Sequence, residues 1–584
     1  MSSQLIVQQK TILSLFSEPK ADFLIPDYQR PYAWSVVECQ TLWEDILSFA
    51  IPDNNSDNFK DDQYFLGPIV TFKNDDGKLE IIDGQQRLTT LMLLLRAIYN
   101  KLENTNEQNG KKLKETIGTC IWKQDVFGNI DKDKLKINSE VATDAQKDEF
   151  ITILKYGIVS PEMKSKYAVN YQFFKDKVDE FVNKDVFSFL YFPARLLNYC
   201  VLLPIEAESQ DTALRIFSTL NDRGMPLSDS DIFKAQFYKY YSKQGKKDEF
   251  INQWKELEEL CDRIFYPISG TPVDELFTRY MYYERAKQGI NKSTTEGLRK
   301  FYEKNYDGKG SYSLLQSNET FENLQDLADF WNDVYNQSKE RFSEKILRKL
   351  FVLDYAPNGM WCYLVSVYYL HNRDDEGNLD DEAFYVFLDK ITAFIWTYAV
   401  YNPGVNALRT PVYEEMINIV KDVPVSFERF RFDMNSVRAS FCNFDFRNTR
   451  PITKSMLTWW AFLDESQELL SLETVLEIEH IYAKNRLAID KSLTDPNNLE
   501  ALGNKSLLEE KVNIRASDYR FKDKKKHYRG YITNRNQEKK GTRINELLRL
   551  ADQKDDFTEA DIVKRTNDII ERFMQYITEN GLAK

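Results

Sequence analysis

The 584-residue sequence has little cysteine, little histidine and no long apolar run. Its six cysteines (Cys39, Cys120, Cys200, Cys261, Cys362 and Cys442) lie far apart and form no CxxC. That spacing speaks against a disulfide framework or a thiolate zinc site and fits a reducing cytoplasm. The first residues, MSSQLIVQQK, lack the basic and apolar regions of a secretion signal. The stretch LMLLL is closely bracketed by Arg87 and Arg96, so neither secretion nor a membrane span is expected. Net positive charge is missing too: the formal charge is −13, which by itself argues against a polyanionic partner. The average hides a basic segment, however. From Lys511 to Asn545 twelve Lys or Arg stand against three Asp or Glu, a local +9 that leaves −22 for the remainder.

The length exceeds what one hydrophobic core usually serves, so two or three domains are expected. Apolar residues at 42% and charged residues at 29% give a globular balance. IVTFK (69–73) and KLEII (78–82) read as a hairpin joined by NDDG, whose Asp and Gly suit the turn. A helix is expected from Gln85 to Tyr99, and further helical segments dominate to about residue 420. HNRDDEGNLDDE (371–382) reads as an acidic loop between two apolar helices, and TVLEIEHIY as a later strand. The fold class is α+β, predominantly helical.

The stretch EIIDGQQRLTTLMLLL (80–95) places an Asp-Gly turn, two amides and an arginine between a strand and a helix. A glycine turn at a helix N-terminus lets backbone N–H groups approach a phosphate, and Arg87 adds a forked donor. Asp83 suits a Mg²⁺ ion or an attacking water, and Gln85 or Gln86 suits orienting that water. Asp-Gly is also a common turn pair, and on composition alone an ordinary capped turn is the more frequent reading. No GxxxxGK[ST] loop is present, so no Walker lysine is assigned. In IFSTLNDRGMPLSDSDIFKA (216–235), Ser228 and Asp231 have the spacing of a helix-capping pair.

Taken together, QRPYxW (Arg30), FLG, DGQQRLTT and NxRGxPLxxxDxxK, in that order between about residues 8 and 238, resemble the N-terminal domain of GmrSD-type modification-dependent (type IV) restriction endonucleases. The resemblance implies a ParB/sulfiredoxin-like fold with a small sheet. It makes Asp83, Gly84, Gln85, Gln86 and Arg87 a nucleotide-hydrolysis motif for GTP, ATP or another nucleoside triphosphate. Arg30 becomes a second phosphate contact, and Asn221, Arg223, Asp231 and Lys234 match the family's second motif, whose caps also serve a purely structural role.

Of three histidines, His480 directly follows Glu479 in LEIEHIYAKN, and LGNKSLLEEKVN then supplies Asn504 and Asn513. A lone Glu-His pair is more often structural than catalytic. The full series resembles an HNH nuclease of the His-Me finger class, with a ββα-metal fold. That resemblance makes His480 the general base, Glu479 and Asn513 ligands of Mg²⁺ or Mn²⁺, and Asn504 the asparagine that steadies the loop or the histidine. Ala483 stands where that class commonly has proline. Adjacent strand residues face opposite ways, so Glu479 and His480 reach one ion only if the strand ends or bends there. In the basic run, Arg520, Lys522, Lys524, Lys525, Lys526 and Arg529 are candidate phosphate contacts, with Tyr519, Phe521 and Tyr528 packing or stacking. A solvated charged face is the alternative.

The expected organisation is therefore a nucleotide-hydrolysing domain (1–240), a helical coupling scaffold (241–425) and an HNH domain with its basic segment (426–584). The expected function is a nucleotide-regulated, metal-dependent DNA endonuclease or nickase of anti-phage defence, cytoplasmic, restricting modified phage DNA. Its expected partners are DNA, nucleotide, and either a second copy of the chain or other defence-system subunits, with no membrane. Two alternatives stay open: a nucleotide-binding regulatory protein with an inactive HNH half, and a self-directed nuclease toxin.

Overall fold

The computed structural model of the chain describes residues 6–584 apart from 20, 142, 143, 145, 187, 211, 214, 215, 217–227, 268, 305–310 and 491. It has two compact units, Met1–Lys255 and Glu256–Lys584. Residues 241–255 of the segment expected as scaffold lie in the first unit, and its remainder lies in the second together with residues 426–584.

The first unit is built on a mixed seven-stranded sheet. Strands β1 (Phe23–Ile25), β2 (Tyr64–Lys73), β3 (Leu79–Asp83), β4 (Ile137–Ser139) and β5 (Cys200–Ala207) run across it in the order β5-β2-β3-β1-β4. Two short N-terminal strands, Ile6–Val7 and Lys10–Thr11, both pair with β5. The expected hairpin is present: β2 and β3 are antiparallel, with Thr71 opposite Ile81. Helix α1 (Gln85–Leu102) follows β3 after a single residue. Its Leu88, Leu91, Met92, Leu93, Leu94, Leu95 and Ile98 are all buried, so it is apolar nearly all round and forms the centre of the core, packed against α2 (Lys166–Lys184). Arg96, also buried, donates to the Leu154 carbonyl and to Asn100. Helix α3 (Asp229–Lys243) lies near the end of the unit. Its Ser228–Asp231 capping box is formed, as the spacing indicated.

The second unit is mainly helical. Helices α4 (Pro272–Lys287), α5 (Asn318–Tyr335), α6 (Glu344–Asp354), α7 (Met360–Asn372), α8 (Asp381–Tyr401) and α9 (Pro451–Phe462) form its larger part. The acidic 371–382 stretch joins α7 to α8 as expected. Helix α8 is long and apolar enough to cross a membrane by length and composition, but 67% of its apolar window is buried inside the protein, the burial of a core helix. The remainder carries an antiparallel hairpin of β6 (Leu476–His480) and β7 (Lys505–Glu509), followed by α10 (Glu510–Ala516), α11 (Phe521–Arg529) and the terminal α12 (Glu559–Glu579).

Candidate functional sites

In the N-terminal unit, Asp83 ends β3 and Gly84 starts α1 with φ 92°, a left-handed conformation that favours glycine. A Cβ there would also lie 2.4 Å from Ile69 Cγ2. The Asp83 carboxylate accepts from the Gly84 N–H at 2.7 Å. Among the described residues no side-chain cap is formed at the start of α1, whose N-cap is Gly84, which leaves its first-turn donors suited to a ligand.

Gln85 and Gln86 have a clear structural task. The Gln86 Oε1 accepts from the Ala33 and Trp34 N–H groups at 2.6 and 3.3 Å, and its Nε2 donates to the Pro31 carbonyl. Gln85 Nε2 donates to the Arg30 carbonyl at 3.1 Å. Gln29 in turn donates to the Ile81 and Ile82 carbonyls. The two sequence motifs QRPYAW and DGQQR are thus one unit: the amides of the second fix the backbone of the first. The buried Gln85 Oε1 finds no hydrogen-bond partner among the described residues.

Arg87 donates through Nη1 to the Pro68 carbonyl at 3.0 Å. Gly67 explains the FLG motif, because a Cβ at that position would sit 3.0 Å from Arg87 Nη1. Burial pushes the Asp83 carboxyl up, opposed by the Gly84 N–H and the charges of Arg87 and Arg30. Burial likewise pulls the Arg87 guanidinium down, opposed by Asp83. Asp83, Arg30 and Arg87 therefore share one electrostatic cluster at the start of α1. Asn221 and Arg223 lie outside the described residues. Lys234 is buried with its ammonium 6.0 Å from the Trp254 ring.

In the second unit His480 ends β6 opposite Lys505. Its Nε2 lies 3.4 Å from Glu500 Oε2, which also accepts from the fully buried Lys505 ammonium at 2.6 Å. Lys484 bridges the other Glu500 oxygen at 3.2 Å. Burial, with Lys505 adding to it, pulls the His480 imidazole down to about 4, and Glu500 opposes them. The ring is neutral at neutral pH, the state a proton acceptor needs. Asn504 is fully buried and joins both ends of the loop: its Oδ1 accepts from the Tyr482 N–H, while its Nδ2 donates to the Tyr482 and Leu499 carbonyls. It steadies the loop and does not touch the His480 ring through these bonds.

Glu479 and Asn513, the expected ion ligands, have different hydrogen-bond partners in this structure. Strand alternation turns Glu479 away from His480 and into the interior, where its Oε1 accepts from Lys524 Nζ at 2.8 Å and Tyr528 Oη at 2.5 Å. Asn513 donates instead to Glu477, at 2.6 Å. The expected Glu479–Asn513 ligand pair is therefore split between two different partners.

The basic segment is also redistributed. Lys524 is only 1% exposed and is an interior residue, donating to Glu479 and to the His480 carbonyl. Arg520 is paired with Asp490, Arg529 with Asp552, and Lys525 donates to the Lys554 carbonyl. Lys522 and Lys526 remain as solvent-exposed cations. Phe521 and Tyr528 are core residues, while exposed Tyr519 stacks on His527 with ring centroids 5.8 Å apart.

Sequence reasoning missed Glu500, Lys505 and Glu477. Glu477 lies two residues before Glu479 on the same strand face, so its alternation was the available signal. Glu500 is brought beside His480 by the loop that Asn504 braces, for which the sequence carries no local signal.

The family model of the GmrSD restriction endonuclease N-terminal domain matches residues 12–238, and that of the C-terminal domain matches residues 432–572. The chain belongs to the GmrSD restriction endonuclease family. It is also similar to an uncharacterized protein of Methanocaldococcus jannaschii, 22% identical over 264 residues. That match covers 41% of this chain and 43% of the archaeal protein. The two GmrSD segments hold the two sites described above, the DGQQR turn in one and the His480 hairpin in the other.

Proposed function

We propose that the chain is a nucleotide-regulated DNA endonuclease. Its C-terminal unit cuts with His480, and its N-terminal unit binds and hydrolyses a nucleoside triphosphate at the DGQQR turn. The observation that carries the reading is His480: a neutral imidazole at the end of a strand, held by a carboxylate, inside the segment matched by the GmrSD C-terminal domain.

Phosphodiester hydrolysis requires a base for the attacking water and positive charge near the scissile phosphate. With Glu500 accepting from Nε2–H, Nδ1 of His480 is the nitrogen that takes the proton, and Glu500 fixes the tautomer. Exposed Lys484, bridged to Glu500, supplies positive charge beside it. The hairpin followed by α10 supports the ββα reading of this part. The mixed sheet with its strand–turn–helix supports the ParB/sulfiredoxin-like reading of the other unit.

The Mg²⁺ or Mn²⁺ ion implied by the HNH resemblance does not fit Glu479 as it stands, because that carboxylate already faces an ammonium and a hydroxyl donor. Among the described residues no group of three or more His, Cys, Asp or Glu side chains is placed to hold an ion. No step is therefore routed through one.

For the nucleotide half, the uncapped start of α1 and the Arg30–Arg87 charge support a phosphate ligand, and the unpartnered Gln85 Oε1 supports a donor beside it, such as the attacking water. The test is a cleavage panel of modified phage DNA, unmodified host DNA and RNA, with wild type and His480→Ala, alongside nucleotide hydrolysis. The expected result is cleavage of modified DNA that His480→Ala abolishes while hydrolysis persists. Cleavage retained in His480→Ala would remove the base from this mechanism, and preferential RNA cleavage would favour a toxin.

A further inference from the structure

The second unit contains a cavity of about 120 Å³ among α4, α5, α6 and α7. Its wall includes Trp331, Trp361, Phe265 and Phe351, all buried. Among the described residues, the buried cation lining it is Arg279, 7% exposed. The Arg279 guanidinium carbon lies 4.2 Å from the Trp331 ring centroid and 4.4 Å from that of Phe265, so the cation is in contact with both rings. Its Nε is engaged by Glu275 at 3.0 Å, whereas the buried Nη1 has no hydrogen-bond partner among the described residues. A buried donor left in this state is costly, and a ligand acceptor relieves it.

We infer that this cavity binds a single-ring planar heterocycle with a hydrogen-bond acceptor edge, of the pyrimidine kind. Size sets the ring count: an apolar cavity of about 150 Å³ accommodates one benzene ring, so two fused rings exceed the space here. The aromatic walls favour a flat ring, and Arg279 Nη1 selects a carbonyl or ring nitrogen on its edge. Asp354, exposed at the mouth, is an acceptor for an exocyclic amino group.

The position ties the cavity to the hairpin. Leu472, which lines it, stands just ahead of β6, the strand that ends in His480. Lys454 interacts electrostatically with both Asp354 at the mouth and Glu477, the partner of Asn513. A heterocycle can reach the cavity either as a base extruded from DNA or as a free nucleoside. For the first source the inference rests on the nuclease reading; for the second it does not.

The probe is 5-iodo-2′-deoxyuridine, a pyrimidine that cross-links to stacked aromatic side chains on irradiation. It is used as the free nucleoside in one arm and at one position of a duplex in the other, with the full chain and peptide mapping of the adduct. The expected adduct falls on Trp331, Trp361, Phe265 or Phe351 and is competed by thymidine. It drops at least tenfold in Val334→Phe, which fills the cavity, and in Arg279→Lys, which loses the fork, both checked for folding by thermal unfolding. Thymidine competition needs no variant and stands even if either substitution fails to fold. DNA cleavage without an adduct at these residues in either arm overturns the cavity assignment and leaves the nuclease reading in place. An adduct from the free nucleoside alone supports the cavity as a small-molecule site and overturns base extrusion. An adduct indifferent to thymidine and to Val334→Phe overturns the assignment altogether.

Discussion

Lys524 Nζ lies 2.8 Å from Glu479 Oε1, both side chains sealed from solvent, and the same ammonium donates to the His480 carbonyl at 2.7 Å. A lysine in the middle of a basic run is thus an internal tie between α11 and the strand that carries His480. Lys524→Met leaves a buried carboxylate without its cation, a loss of about 3–5 kcal/mol for a broken buried pair. Lys522→Ala, at an exposed position, is expected to stay within about 0.5 kcal/mol of wild type. Denaturant unfolding of both variants decides the matter, and equal small effects would return Lys524 to the surface.

His480 gives a pH signature whose sign follows from its depressed value. Its pKa falls from 6.5 to about 4 on folding, so between those values the unfolded chain binds more protons. Stability then declines as pH falls from 6.5 towards 4, by on the order of 3 kcal/mol. His480→Gln should flatten that portion of the stability curve. Cleavage should also lack the rise between pH 6 and 7 that a histidine of ordinary pKa confers, because the ring is already neutral there. A rate that titrates near 6.5 would show that the buried setting does not hold in the active enzyme.

Metal binding can be separated from catalysis. With Glu479 occupied by Lys524 and Tyr528, millimolar Mg²⁺ added without DNA should leave the Tm of the wild-type chain unchanged. Lys524→Met should become Mg²⁺-sensitive, since its carboxylate again faces no cation. A rise in wild-type Tm would show that the ion displaces the lysine.

The local elements were legible where chain chemistry is local. The β2–β3 hairpin, the glycine turn at 84 and the Ser228–Asp231 cap each follow from residues within a few positions of one another. The α+β class, rich in helix, was readable in the same way. What the sequence concealed depends on contacts distant along the chain. The Gln86 side chain reads as a catalytic amide in the motif, yet its bonds run to Ala33, Trp34 and Pro31, more than fifty residues earlier. The run at 520–529 reads as six equivalent cations, but α11 is amphipathic in a helical period, so Lys524 and Tyr528 face inward together with Phe521. The Glu479–His480 pair was legible as a problem of strand alternation, though the identity of the interior partner was not.

For DNA binding, the exposure of Lys522 and Lys526 narrows the expected phosphate contacts to these two, with Arg520, Lys525 and Arg529 already held by protein groups. Lys522→Ala with Lys526→Ala should weaken binding across DNA sequences and reduce the log–log salt slope by about 0.9 for each phosphate no longer neutralised. An unchanged slope would identify this stretch of α11 as a solvated face. A decrease larger than two phosphates can explain would mean that DNA competes successfully for the paired arginines.

The DGQQR turn carries the decisive test of the coupled reading, and its geometry selects the informative substitution. Gln86→Ala would unfasten the 31–34 backbone and Gly84→Ala would strike Ile69, so loss of activity in either variant follows from structure alone. Arg87 is the cleaner probe. It makes one hydrogen bond to the Pro68 carbonyl through Nη1, it is half-buried, and it shares its charge cluster with Asp83 and Arg30. Arg87→Ala removes a charge-assisted interaction with phosphate worth about 1.5–3 kcal/mol, so nucleotide binding or turnover should fall at least tenfold. Arg87→Lys keeps the charge but not the fork and should recover only part of that activity. If the nucleotide state biases the nuclease, the same variants must alter DNA cleavage as well, because coupling between two sites requires a state that both bias. Hydrolysis and cleavage measured side by side, with circular dichroism to confirm folding, distinguish the cases. Abolished hydrolysis with unaltered cleavage would leave two independent enzymes on one chain, and unaltered hydrolysis would make Arg87 a brace for β2 and nothing more.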